Sequence, residues 1–147
     1  MIKYNYEYTK LGDITYNLLR NPQDIKSYLL EFILKEWEID RIEAPDQPWT
    51  VEWMDSLKAF TFALQQIDLS SIKLKPDLMA YEKDGESFVD DLQERVEERE
   101  ESFLRGLSFE PLLVNGHNFE LMDGYTRYML FNKYHQKQVY AYVGHDH

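Results

Sequence analysis

The chain has 147 residues, the length of one ordinary domain, and 44% of them are hydrophobic and 15% aromatic, which excludes a disordered chain. Its net charge of -11 opposes nucleic-acid binding, which is driven by neutralising phosphates. The absence of cysteine removes disulfides, thiolate zinc sites and cysteine nucleophiles together. No charged-then-apolar leader and no apolar run near the ~18 residues of a bilayer span occurs, so a cytoplasmic protein with no membrane segment is expected.

In chain order, Ile2 to Tyr8 alternates apolar-aromatic and polar residues and predicts a strand with one buried face. Asn21-Pro22 opens a helix, with Asn as N-cap and Pro at the first position, and Ile25, Leu29, Phe32, Ile33 and Trp37 give it an apolar face. Pro45 and Pro48 break the chain. A second helix capped by Thr50 comes next, with Val51, Met54, Leu57, Phe60, Leu64 and Ile67 as its stripe. The two helices are expected to pack as a hairpin. Leu69 to Lys75 predicts a strand ending at Pro76, followed by a short helical turn from Asp77 to Lys83. Ser87-Phe-Val-Asp90 resembles a capping box and starts a helix that runs to Leu104, with Gly106 as its stop. Pro111–Val114, Asn115-Gly116 and Asn118–Met122 predict a hairpin with a type I′ turn. A helix to Tyr134 and a final strand from Gln138 to Val143 complete the chain.

The segment Phe119 to Phe131 carries the chemistry. An alternating apolar run stops at Asp123-Gly124 and becomes a helical run with Thr126 and Arg127 in its first turn. A strand feeding a helix through glycine leaves backbone N–H groups at the helix start, and with the helix dipole and an arginine these suit an anion. The plainer alternative is turn chemistry, with Asp123 capping the helix and Arg127 in a surface ion pair.

Elsewhere the plain readings lead. The acidic run from Asp90 to Glu101, interleaved with Arg95 and Arg99, is a solvated helix face. His145-Asp146-His147 is a terminal tail before it is a metal site. Trp37, Trp49 and Trp53 are core residues, with a protein-binding groove on the aromatic helices as the alternative.

From Ile67 to Gly144 the order of strand, proline, helices, Glu-Pro-Leu-Leu-Val, hairpin, Leu-Met-Asp-Gly-Tyr-Thr-Arg-Tyr, helix and Val-Tyr-Ala-Tyr-Val resembles the ParB/sulfiredoxin-like domain family, which includes ParB-like nucleases and free-serine kinases. The resemblance implies an α+β fold, a small mixed β-sheet with packed helices, preceded by an N-terminal helical extension. Residues 1–66 form the extension and 67–147 the domain, packed as one unit. It also implies nucleotide binding (ATP, ADP or CTP, with Mg²⁺ as a further candidate). Arg127 would hold phosphate, and Gly124, Tyr125 and Thr126 would line the turn. By the same resemblance Asp123 is a catalytic candidate, with Asp77, or Glu82, as the second acid of a hydrolase or phosphotransferase. Sulfiredoxin chemistry is excluded, since Tyr125 stands where its cysteine would be. Many members carry His or Arg where Thr126 stands. A helix-turn-helix DNA reader would need residues beyond His147.

The leading expectation is therefore a nucleotide-phosphate-binding protein. The alternatives are a non-catalytic interaction module with a vestigial site, partnered through its N-terminal aromatic helices, and a DNA-associated or nuclease-type factor, which the charge opposes.

Overall fold

The computed structural model describes residues 4–146. The Ile2 end of the expected first strand and the last histidine of the terminal trio, His147, lie outside the described residues.

The first strand lies further along the chain than its alternation suggested, and it has a partner. β1 (Glu7–Leu11) and β2 (Ile14–Leu18) form an antiparallel hairpin. Gly12 turns it at φ 60°, the sign that a type II′ turn needs at its first central position. Ile14, Tyr16 and Leu18 of β2 are buried while Tyr8 is exposed, so the buried face belongs to β2. Asp13 is clasped by Gln136: its N–H donates to Oε1 at 3.0 Å, and Gln136 Nε2 donates to its carboxylate at 2.9 Å.

Asn21 caps the next helix as expected, its side-chain oxygen accepting from the N–H groups of Gln23 (2.8 Å) and Asp24 (3.4 Å). That helix runs in three pieces without a break: α1 (Pro22–Tyr28), a π-helical turn (Leu29–Ile33) and α2 (Leu34–Glu43). α3 (Trp49–Ala59) returns beside α2, giving the expected helical hairpin. Here the expectation fails downstream. The second helix does not continue to Ile67; it stops at Phe60, and Thr61–Asp68 is strand β3. Leu64 and Ile67 fit a helical stripe as well as a strand, and two tertiary contacts decide between them. Lys26 Nζ donates to the carbonyls of Leu57 (2.6 Å), Lys58 (2.8 Å) and Phe60, closing the end of α3. β3 then pairs with the last strand over its whole length.

Leu69 to Lys75 is not a strand. It holds a 3₁₀ turn (Leu69–Ser71) and a single bridge between Lys73 and Glu120. α4 (Pro76–Met79) is shorter than the expected turn of helix. β4 (Glu82–Lys83) and β5 (Glu86–Ser87) flank Asp84 and Gly85, both at positive φ (53° and 80°), the pattern of a type I′ turn. α5 (Phe88–Leu104) starts at Ser87, whose hydroxyl accepts from Asp90 N–H at 3.1 Å.

β6 (Leu112–Asn115) and β7 (Leu121–Asp123) are antiparallel, as the hairpin signal implied, but the connection is not a type I′ turn. Gly116 is absent from the positive-φ residues, and Phe119 takes φ 59° instead. Gly116 is needed for room: a Cβ there would lie 2.5 Å from the Gly144 carbonyl oxygen and 2.4 Å from the His145 ring. α6 (Tyr125–Lys133) and β8 (Gln138–His145) complete the order.

The main sheet has the order β3-β8-β6-β7, with β8 antiparallel to β3 and parallel to β6. Leu112, Leu113 and Val114, like Ala141, Tyr142 and Val143, are buried in succession, so both faces of these strands are covered. The fold is α+β with a small mixed sheet. β3 crosses the expected 66/67 division and joins the sheet, and Tyr16 of the first hairpin packs edge-on to Phe131, which also meets Phe109. Each such fully buried aromatic contributes about 1.5–3 kcal/mol relative to an exposed one. Among the described residues no helix is long and apolar enough to cross a membrane.

Candidate functional site

β7 ends at Asp123, Gly124 takes φ 99°, and α6 begins at Tyr125. Glycine is required here twice over. Its φ lies in the left-handed region, and a Cβ would come within 2.8 Å of Leu112 Cδ2 and 2.9 Å of Arg127 Nη2. The strand-to-helix junction is therefore as the sequence implied.

Arg127 reaches back one turn rather than into solvent. Nη1 donates to the carbonyls of Glu110 and Pro111 at 3.0 Å each, and Nη2 donates to Asp123 Oδ2 at 3.0 Å. Glu110 Oε2 lies 3.9 Å away, and the Arg127 side chain is only 15% exposed. The guanidinium thus fastens the approach to β6 onto the start of α6. Burial raises the Asp123 carboxyl above the usual carboxylate range, opposed by the charge of Arg127 and by a hydrogen bond with the Gly124 backbone. Tyr125 is buried, and its hydroxyl donates to Leu121 O (2.8 Å) and accepts from Lys75 N–H (3.2 Å), so its phenol joins β7 to the segment before α4.

Gly124, Tyr125, Thr126 and Arg127 line one wall of a cleft of about 790 Å³, together with Met122 and Asp123. The opposite wall comes from the N-terminal helices, with Tyr28, Glu36, Trp37, Asp40 and Trp53, and α5 adds Arg95 and Arg99. Trp53 lies 5.6 Å from Trp37 and 6.5 Å from Tyr125 between ring centroids. Trp37, Trp49 and Trp53 are all under 10% exposed, so they are core residues whose edges reach the cleft.

The cleft carries six carboxylates, Glu36, Asp40, Glu43, Glu98, Glu110 and Asp123, against three guanidiniums. Desolvation raises the Glu36 carboxyl, and the negative charge of Asp123 adds to this; Asp40 is raised in the same way, with Glu43 contributing before Asp123. Both residues are exposed at the mouth, which keeps solvent screening strong there. Two of the arginines are engaged locally, Arg95 over the Phe88 ring and Arg99 over the Phe109 ring.

Asp77 and Glu82 do not join the site. Asp77 is exposed on α4, Glu82 is exposed in β4, and neither lines the cleft, although their neighbour Leu78 does. The acids that face Asp123 are Glu110, beside Pro111, and Glu36 and Asp40 on α2. Sequence reading missed these three. Glu110 directly before the strand proline was the one local signal. The α2 pair gave none, because only tertiary packing brings residues so distant in the chain together. Among the described residues no three His, Asp or Glu side chains are close enough to hold a metal ion. The pair His117–Asp146 (3.0 Å) lies on the surface, away from the cleft.

No family model matches the chain, and no curated protein matches it. Among solved structures it is similar to the pNOB8-like ParB N-domain, at 22% identity over 58% of this chain and 28% of that one, with a TM-score of 0.42. It is also similar to the C2221 form of the Pnob8-like ParB-N domain, at 20% identity over 58% of this chain and 30% of that one, with a TM-score of 0.39. The chain spans less than a third of either structure's own chain.

Proposed function

We propose that this protein binds a nucleotide, with its phosphates at the Asp123–Arg127 turn and its base among the aromatic edges of the N-terminal helices. The observation that carries this reading is the opening of the turn, with its helix start and Thr126, onto a cleft of about 790 Å³, within the roughly 300–1,000 Å³ of small-molecule sites. The helix dipole of α6 and the three arginines favour an anion there, and the Trp53, Trp37 and Tyr28 rings offer apolar walls.

The six carboxylates shape the ligand's requirements. A polyphosphate entering that field is repelled unless a cation accompanies it or the carboxylates are protonated, so affinity should rise with Mg²⁺ and as the pH falls. The described residues form no metal site of their own, so Mg²⁺ would arrive with the nucleotide. The proposal is one of binding. A phosphoryl-transfer version would draw its second acid from Glu110 or Glu36, since Asp77 and Glu82 lie outside the cleft.

A thermal-shift panel of ATP, ADP, CTP and GTP, with and without Mg²⁺, on wild type and Thr126→Val tests this. A nucleotide at 100 times its dissociation constant stabilises the fold by about 2.7 kcal/mol, or roughly 5–10 °C for a domain of this size. A shift that shrinks in Thr126→Val supports the reading; no shift with any nucleotide sinks it. A second reading, a protein partner on the N-terminal helices, is favoured by the exposure of Phe32, Ile39 and Ile42 on one stretch of helix.

A further inference from the structure

The helix from Pro22 to Glu43 changes register inside one element. Glu36, Asp40 and Glu43 line the cleft at helical spacing. Continued backward as an uninterrupted α-helix, that stripe would meet Leu29 and Phe32. The cleft is lined instead by Tyr28 and Ile33, while Leu29 is buried and reaches only the small recess beside the cleft. The π-helical turn Leu29–Ile33 makes the difference, with Leu34 N–H bonded to Leu29 O. One residue inserted into a helix rotates the turns before it by about 100° relative to the turns after it. Such insertions cost helix regularity and occur frequently at functional sites.

The rotation delivers a phenol to the site. Tyr28 lines the cleft and also a small adjoining recess with Glu110, Pro111, Asp123 and Arg127. Its ring is held edge-on by Tyr4 at 6.0 Å and packs on Phe32 at 5.2 Å. Its hydroxyl has no hydrogen-bond partner among the described residues, whereas those of Tyr125 and Tyr142 are both engaged.

We propose that Tyr28 is a ligand-contacting residue of the cleft, its O–H donating a hydrogen bond to the phosphate oxygens held at the Asp123–Arg127 turn. This rests on the nucleotide reading above. The value of such a donor comes from the site's own bonding: Arg127 is committed to Glu110, Pro111 and Asp123, Arg95 and Arg99 are held over the Phe88 and Phe109 rings, and the six carboxylates of the cleft repel an anion, so a neutral donor beside the turn adds a contact that carries no repulsion. Burial and the charges of Glu110 and Asp123 both disfavour a phenolate, so the group stays a neutral donor.

Calorimetric titration with ATP and Mg²⁺ tests the assignment on wild type, Tyr28→Phe and a Leu30 deletion, which shortens the π-helical turn by one residue. Tyr28→Phe keeps the ring contacts and loses only the hydroxyl, so the apo melting temperature should stay put while affinity falls about ten-fold. The deletion, if folded by circular dichroism, should lose at least as much. Wild-type binding with equal affinity in Tyr28→Phe overturns the role of Tyr28 and leaves the nucleotide reading standing. No binding by wild type overturns both.

Discussion

Replacing Arg127 with methionine keeps the aliphatic stem and deletes three hydrogen bonds, to Glu110 O, Pro111 O and Asp123 Oδ2, each at 3.0 Å. It also leaves the Asp123 carboxylate, 26% exposed, without its cation. Hydrogen bonds from charged donors are worth roughly 1.5–3 kcal/mol each, and breaking one side of a buried pair costs about 3–5 kcal/mol. The terms overlap, and Asp123 keeps some water, so a net loss near 3 kcal/mol is expected, or about 6–12 °C in melting temperature. Urea unfolding followed by the fluorescence of the buried Trp37 and Trp53 measures it. The double variant Arg127→Met/Asp123→Asn should cost about 1–2 kcal/mol less than the sum of the single changes, because removing the charge relieves the orphaned carboxylate. A loss below about 1 kcal/mol for Arg127→Met, or simple additivity, refutes the view of Arg127 as a joint in the fold. The same bonds explain why an alanine at this position is a poor probe of ligand binding: it would weaken the site and the fold together.

Other outcomes are expected from the same geometry. Gly124→Ala places a Cβ at φ 99° and within 2.8 Å of Leu112, and should cost about 1–3 kcal/mol in chemical denaturation. Lys26→Met removes the ammonium that gathers the Leu57, Lys58 and Phe60 carbonyls, and should lower stability by roughly 1–3 kcal/mol in the same assay. For pH, the folded Asp123 carboxyl binds its proton more tightly than the unfolded one, and Glu36 and Asp40 act in the same direction. The native state therefore holds more protons in the window above the ordinary carboxylate pKa. The contribution of these groups to unfolding free energy falls as the pH rises through that window and is recovered as the pH falls through it. Asp123→Asn should flatten this part of the stability–pH curve, and an unchanged slope would count against the assignment.

The parts of the fold that can be read from the chain are those with local causes. Asn21-Pro22 and Ser87 cap their helices through their own side chains, and Gly124 turns β7 into α6 because no other residue fits. The parts that cannot be read depend on distant partners. Leu64 and Ile67 suit either period, and β3 exists because β8 pairs with it. Asp84-Gly85 makes the turn that Asn115-Gly116 promised, while Gly116 serves the close approach of Gly144 and not a left-handed φ. The site divides in the same way. Asp123 to Arg127 is one continuous segment and is visible in the sequence. Its facing acids and Tyr28 come from helices far away in the chain, and the register that presents Tyr28 is set by a π-helical turn with no sequence signature of its own.

The most direct test of the central claim is an amide chemical-shift titration of ¹⁵N-labelled protein with ATP and Mg²⁺. A nucleotide seated as proposed should move the backbone amides of Gly124, Tyr125 and Thr126 and the indole N–H of Trp53, saturating together with a single dissociation constant. No movement at these amides, or saturable shifts confined to another surface, would contradict the account.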